Sequence, residues 1–342
     1  MSSVTISDPV GVRHEPDLPG LVLALDPEIA RKEFRRRLPK LSGDGKLRLK
    51  AVRVTRLKPG RRCVLEYDVE VRRPGVPKYP VTLIGKTRAR RSGNEGFRIQ
   101  QAIWDAGFQE DSPDKISVPE PIGVISDFYM WFQRKVPGMT AEQLLGKQNA
   151  VVLARRIADA ISKLHRSGVP TDKIHSMDDE LKILRDCLLQ VAEARPGWSK
   201  RIEALIAACE HVAATVPARK FCGIHRDFYA SQVIVDESRL WLLDFDLYCQ
   251  GDPALDAGNF IGHITEQSLR ERGHADAFVE VERALEDRFV ELSGEANRHA
   301  VRVYTNLTLA RHVFLSTKFA ERRHLSESLL QLCEKKLLSQ MS

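Results

Sequence analysis

The apolar residues change their spacing once along this chain, and that change limits what it can fold into. From Leu47 to Lys86 they alternate with polar residues. Within Cys63–Val71, for example, Leu65, Tyr67, Val69 and Val71 fall on one side and Glu66, Asp68 and Glu70 on the other. A period of two marks a half-buried antiparallel strand. After Pro137-Gly138 the spacing becomes helical: Leu153, Ile157, Ile161 and Leu164 recur at i, i+4, i+8 and i+11, and Leu181, Leu184, Leu188 and Val191 at i, i+3, i+7 and i+10. A small β-rich part therefore precedes a larger, mainly helical one. The 342 residues suffice for two such parts at ~100–200 residues per domain.

Turn formers divide the first part into elements. Asp26-Pro27 starts a short helix over residues 27–38. Strands are predicted at Leu47–Leu57, Cys63–Val71 and Val81–Lys86, separated by the turns Lys58-Pro59-Gly60-Arg61-Arg62 and Arg73-Pro74-Gly75. A helix over Glu95–Trp104 and an apolar strand, Phe128–Phe132, follow. Residues 1–26 hold turn formers and little periodicity. The expected organisation is an N-terminal extension (1–45), a β-rich N-terminal domain (46–136) and a helical C-terminal domain (137–342).

Composition narrows the class. With 43% apolar, 29% charged and 7% aromatic residues the chain is ordinary globular protein, which excludes disordered and disulfide-scaffold classes. Cys63, Cys187, Cys209, Cys222, Cys249 and Cys333 are scattered without a C-x-x-C pair, so reduced thiols are expected and zinc is not. No stretch reaches the ~20 uninterrupted apolar residues of a membrane helix, and the opening MSSVTISDPVGVRHEPD has neither a basic n-region nor an apolar h-region. A soluble, cytoplasmic protein with no membrane contact is expected.

The net charge of +7 is unevenly spread. Arg31 to Arg91 carries 21 Lys+Arg against 5 Asp+Glu, a net of +16, whereas His225 to Ala300 carries 7 against 16, a net of −9. No nucleic-acid motif accompanies the basic stretch, which favours a solvated surface with a phosphate site over nucleic acid. The run Arg88, Arg90, Arg91 is read as a solvated face.

Inside the helical part lies one β-hairpin signal: Val233-Ile234-Val235, a turn at Asp236-Glu237-Ser238, then Leu240–Leu243. His225-Arg226-Asp227 and Gln232 precede it, and Asp244-Phe245-Asp246 follows. A hairpin brings its outer ends side by side, so Asp227, Gln232 and Asp244 can converge. Two carboxylates and an amide oxygen suit a hard cation bound to phosphate oxygens. His225 is read as an architectural residue of the loop and His165 as a helix-end residue serving the C-terminal dipole. His263, His299 and His312 are read as core or surface residues, with a substrate cleft as the alternative.

H-R-D-x-x-x-x-Q followed twelve residues later by D-F-D resembles the catalytic loop and metal-binding segment of the protein-kinase-like superfamily. The wider context, IHRDFYASQVIVD to LWLLDFDLYCQGDPALDAGNF, resembles its aminoglycoside phosphotransferase and choline kinase branch, to which the G-D-P-x-x-D segment (Gly251, Asp252, Pro253, Asp256) belongs. The resemblance runs roughly from Leu47 to His263 and is strongest over residues 221–260. It implies an α+β, two-lobed protein-kinase-like fold, and an enzyme that uses ATP and Mg²⁺ to phosphorylate a hydroxyl of a small acceptor of aminoglycoside, amino alcohol or sugar type. Asp227 is then the catalytic base, Gln232 and Asp244 ligate Mg²⁺, Lys86 contacts the phosphates and Glu95 pairs with Lys86. The nucleotide lies under the turn that holds Gly60 and Arg61, with adenine against the connector Gln133–Val136. Two features depart from the pattern: Gln232 stands where Asn is usual, and the turn has one glycine. A nucleotide-binding pseudokinase and a protein-kinase-like regulator are the alternatives.

Overall fold

The computed structural model describes residues 4–12, 15–43, 45–89 and 94–338. The chain divides into two compact units, Met1–Pro137 and Gly138–Ser342. Arg90 and Arg91, read above as part of a solvated face, lie outside the described residues. No described helix is long and apolar enough to cross a membrane, and the six cysteines are free.

The first unit is built on a six-stranded sheet. Its elements in chain order are β1 (Thr5–Ser7), α1 (Pro27–Arg37), β2 (Lys46–Lys58), β3 (Arg62–Arg72), β4 (Tyr79–Arg88), α2 (Asn94–Asp105), β5 (Pro121–Ile125) and β6 (Met130–Arg134), with sheet order β1-β2-β3-β4-β6-β5. The alternation expected for β3 holds: Cys63, Leu65, Tyr67, Val69 and Val71 are all buried. Its other face carries acids that meet the basic residues of neighbouring strands. Arg53 donates to Asp68 at 2.9 Å and to Glu66 at 3.2 Å, Lys135 donates to Glu66 at 2.8 Å, and Lys50 lies 3.3 Å from Glu70. The Arg53 guanidinium holds the Asp68 carboxyl below its usual range. Much of the basic surplus in this stretch thus answers the sheet's own carboxylates.

The described part of residues 1–45 packs into this unit. β1 pairs in parallel with β2. Val12, Leu18, Leu21, Leu25, Phe34 and Leu38 are buried in the same cluster as Tyr67, Leu83 and Phe132. Asp26 caps α1 as its sequence implies, accepting from the amides of Glu28 and Ile29, both at 2.9 Å. The helix then sets Phe34 edge-on to Tyr67 and Phe132, with centroids 5.0 and 5.3 Å away, while Tyr67 donates its hydroxyl to Ala24 O at 3.0 Å. The segment covers one face of the sheet, so the expected boundary at residue 45 falls inside a single core.

The strand expected at Phe128–Phe132 starts two residues later. Ser126–Phe128 is a 3₁₀ turn and Tyr129 takes a left-handed conformation (φ 50°), which closes a β5–β6 hairpin and places Phe128 in the core from a turn rather than from a strand.

The second unit contains β7 (Met139–Thr140), α3 (Ala150–Arg166), β8 (Ile174–His175), α4 (Met177–Ala194), α5 (Ser199–Ala214), β9 (Cys222–Ile224), β10 (Val233–Asp236), β11 (Arg239–Leu242), β12 (Cys249–Gly251), α6 (Ala254–Arg272), α7 (Val279–Ser293), α8 (Asn297–Lys318) and α9 (Ser326–Leu337). The expected hairpin is β10–β11, flanked by β7, and β9 pairs antiparallel with β12.

Helices α6 and α8 pack closely through glycine. A Cβ at Gly258 would stand 2.5 Å from Tyr304 Cβ and 2.7 Å from Val301 O. Neither atom is the mobile end of a side chain, so Gly258→Ala must push the helices apart. The expected loss is about 3 kcal/mol in urea unfolding, the upper part of the overpacking range; a loss below about 0.5 kcal/mol would refute close packing there.

Glu282 on α7 gives a pH-dependent expectation. Thr265 Oγ1 lies 2.7 Å from Glu282 Oε1 and 3.1 Å from Ile261 O, and one hydroxyl proton cannot serve both acceptors. A protonated Glu282 resolves this by donating to Thr265, and burial pushes its carboxyl up to about 7. A raised acid costs stability where the unfolded chain ionises and the folded one does not. The penalty is therefore absent well below pH 4.5, grows from 4.5 to 7 and is complete above 7. Glu282→Gln should stabilise the protein by up to about 3 kcal/mol at pH 8 and by little at pH 4.5. Equal gains at both pH values would exclude a titrating Glu282.

Candidate active site

The catalytic loop is held from behind by one carboxylate. Asp256, on the first turn of α6, is fully buried. Its Oδ2 accepts the His225 amide at 2.8 Å and faces His165 Nε2 at 2.9 Å, and its Oδ1 accepts the Arg226 amide at 2.7 Å. Arg226 has φ 70°, a conformation that costs a non-glycine residue about 1–3 kcal/mol and persists only when its neighbours over-determine it. Asp256 supplies that determination one residue before Asp227. His165 lies in the last turn of α3, the helix-end position expected from the sequence, and from there it is half-buried against Asp256.

His225 has the architectural role expected of it. The ring is buried, and Nε2 donates to Leu243 O at 2.7 Å, tying the loop to the residue before Asp244. On the other side of Asp227, Phe228 is buried against Phe260 and its carbonyl accepts from Asn259 Nδ2 at 2.9 Å. Asp227, partly exposed, therefore sits between two anchored neighbours.

The hairpin brings the two candidate metal ligands together. Val233 pairs with Leu242, and Leu243 donates its amide to Gln232 O at 2.9 Å, so Gln232 and Asp244 flank the same end of β10–β11. Gln232 closes a 3₁₀ turn and is 8% exposed. Asp244 is left-handed, with φ 63° and ψ 61°, a region aspartate tolerates better than most residues. One amide oxygen and one carboxylate are hard donors, and a pair of protein ligands suits Mg²⁺, which keeps waters and takes phosphate oxygens. Among the described residues no group of three or more His, Cys, Asp or Glu could hold a metal ion.

Next to the loop, Tyr229 stacks on His263 with centroids 4.7 Å apart, and His263 meets His312 edge-on at 4.4 Å. Burial, with Arg311, Arg322 and Arg270 nearby, lowers both imidazoles, His312 to about 3 and His263 well below its ordinary value. His312 is a neutral core residue and His263 a half-buried one between it and Tyr229, while His299 bonds Thr215 Oγ1 at 2.7 Å near the surface.

The first unit carries the remaining candidates. On β4, Lys86 sets its ammonium 5.0 Å from the centroid of Trp131 on β6. The first turn of α2 reaches the same ring: a Cβ on Gly96 would lie 2.8 Å from Trp131 Nε1. Glu95, the candidate partner of Lys86, is exposed in the first turn of α2. Gly60 takes φ 64° at the tip of the β2–β3 turn, which Arg61 N closes onto Lys58 O at 3.0 Å. The Gly60 amide donates to Glu15 Oε1 at 3.3 Å, a partner the sequence did not signal.

Gln133 is not in a connector but inside β6, opposite Ile84 on one side and Pro121 on the other, and its side-chain Oε1 is buried with no hydrogen-bond partner among the described residues. Arg134 and Lys135 donate their amides to Glu120 O at 2.9 Å and Thr82 O at 2.8 Å. Of the connector expected at 133–136, Val136 alone lies beyond these bonds.

Sequence reasoning noticed Asp256 only as part of a motif and passed over Asn259. A buried Asn within the apolar run Ala254–Ile264 is the signal that would have found the latter.

Comparison with known proteins places this arrangement. The sequence matches the phosphotransferase enzyme family over residues 81–294, more than half of the chain. A choline/ethanolamine kinase family protein from Mesorhizobium loti is similar in structure, with TM-score 0.54, 18% identity, and coverage of 90% of this chain and 94% of that one. An ADP-bound aminoglycoside phosphotransferase gives 0.52, 16%, 92% and 100%, and a glucosamine kinase in complex with glucosamine, ADP and inorganic phosphate gives 0.55, 14%, 77% and 79%. At these identities the likeness establishes the protein-kinase-like fold. No curated protein sequence matches the chain. With the family matched across the hairpin, the anchored loop and the segment that clamps it, the chain belongs to the phosphotransferase enzyme family.

Proposed function

We propose that this phosphotransferase is an ATP- and Mg²⁺-dependent kinase that phosphorylates a hydroxyl of a small molecule. The observation that carries the reading is the hairpin β10–β11, which holds Gln232 and Asp244 at one end while Asp256 anchors the backbone beside Asp227. Phosphoryl transfer asks a protein mainly for positioning and charge neutralisation, and for a base near the attacking oxygen. In this reading Asp227 orients the acceptor hydroxyl and takes its proton. Gln232 and Asp244 hold Mg²⁺, which neutralises phosphate oxygens. Lys86 contacts the nucleotide phosphates beside the turn carrying Gly60 and Arg61, and the Val136 amide meets adenine. The net −9 of His225–Ala300 supports an amine-bearing acceptor, of aminoglycoside, amino alcohol or amino sugar type.

The test is an ADP-release screen over small hydroxyl compounds, with Asp227→Ala as blank and chelator as the metal control. Turnover that persists in excess chelator would exclude the metal assignment. ATP-Mg²⁺ that raises the melting temperature without turnover on any acceptor would favour a nucleotide-binding pseudokinase. Lys86→Met is expected to lower kcat/KM for ATP about a hundredfold, the scale of losing one charged contact to a transferring phosphoryl group; a change under threefold would remove Lys86 from the site.

A further inference from the structure

A cavity of about 470 Å³ opens in the helical unit where α3, α6, α7 and α8 end or begin. Its polar wall is basic: Arg166, Arg219, Lys220 and His165 line it, and no aspartate or glutamate does. Arg166 and Lys220 are exposed, whereas the Arg219 side chain is 12% exposed and its head is held by Asn297 Oδ1 and Ala296 O. Asp252 stands 3.7 Å from Arg219 Nε and offsets one of the charges. The helix ends do not set the sign, because α3 and α7 bring C-termini to the cavity while α6 and α8 bring N-termini, and opposed dipoles cancel. The side chains set it, and they leave an excess of positive charge.

Two further observations point to a ligand. Ser162 lines the cavity, is 4% exposed, and its hydroxyl has no hydrogen-bond partner among the described residues. Buried hydroxyls without partners are rare in native proteins and call for an explanation. Phe221, 38% exposed, and Leu292 add an apolar wall to the same space. The volume lies within the roughly 300–1,000 Å³ of small-molecule sites. We propose that this cavity binds a small organic anion, a phosphate or carboxylate carried on an aromatic or aliphatic body. The anionic group meets Arg166, Arg219 and Lys220, the body lies on Phe221 and Leu292, and Ser162 donates to the ligand. His165 joins the wall to Asp256, and through it to the amides of His225 and Arg226, so the site adjoins the back of the catalytic loop.

The test is calorimetric titration of the full-length protein with phenyl phosphate and with benzoate, using phenol and inorganic phosphate as probes lacking the charge or the ring. At least one aromatic anion should bind at least tenfold more tightly than phenol and than inorganic phosphate. The stronger of the two tells which head group the site prefers. Arg166→Glu combined with Lys220→Glu should weaken that binding at least tenfold; both residues are exposed, and Lys220→Ala alone, expected to weaken it about threefold, serves if the double variant does not fold. Arg219 is unsuitable as a probe because it also holds Asn297. No saturable binding of either anion would overturn the proposal, as would binding unchanged by the Arg166 and Lys220 variants. So would binding abolished by Lys86→Met, which places the anion in the first unit.

Discussion

Asp227→Ala is expected to abolish phosphoryl transfer, lowering kcat about 10²–10⁴-fold, while the dissociation constant for ATP-Mg²⁺ stays within about twofold of the parent. The asymmetry follows from what each residue touches. In the proposed mechanism Asp227 acts on the acceptor hydroxyl, whereas the nucleotide is held by Lys86 and through the cation on Gln232 and Asp244. The backbone around Asp227 is fixed by Asp256 and Asn259, neither of which uses the Asp227 side chain, so the variant should fold. Single-turnover kinetics with the identified acceptor, alongside calorimetric titration of nucleotide, separates the two effects. Loss of ATP binding with loss of turnover would mean that Asp227 serves the nucleotide or its metal and that the base lies elsewhere.

The second large effect is structural. Asp256→Ala removes the acceptor of the buried His225 amide and of the half-buried Arg226 amide, and the partner of His165. Orphaned buried donors cost about 1–3 kcal/mol each, and breaking a buried charged network typically costs about 3–5 kcal/mol. We expect a loss of about 4 kcal/mol in urea unfolding, within that range. Transfer should also fall, because Arg226 relaxes from its left-handed conformation and carries Asp227 with it. Asp256→Asn keeps the shape but turns an amino group toward at least one donor, so it should lose about half as much. If both variants stay within about 1 kcal/mol of the parent, Asp256 does not clamp the loop.

How much of this was legible in the sequence depended on the range of the signal. The alternation of β3 and the β10–β11 hairpin were readable because each is written within about ten residues, and the motif around Asp227, Gln232 and Asp244 because its parts lie close in sequence. Asp26 announced α1 by local chemistry alone. What failed needed distant partners. That residues 1–45 cover the sheet depends on Phe34 meeting Tyr67 and Phe132, and nothing near Phe34 says so. The bond of His165 to Asp256 spans ninety-one positions, which no local pattern announces. Gln133 lies in a strand rather than the expected connector because the strand's end is set by pairing with β4 and β5, not by its own residues. Lys86 and the first turn of α2 share the ring of Trp131, a contact that no local pattern announces.

The burial of the first segment also has a consequence in time. A chain leaving the ribosome exposes Leu18, Leu21, Phe34 and Leu38 before any of the strands that cover them exist, and the cluster closes only when Met130 and Phe132 have been made. At ~5–20 residues per second, the ninety or so intervening residues take about 5–20 s. During that interval part of this apolar surface waits on the nascent chain for the strands that complete its cover. This segment is therefore made well before its cover is complete, and its early life depends on whatever shields it until the sheet arrives.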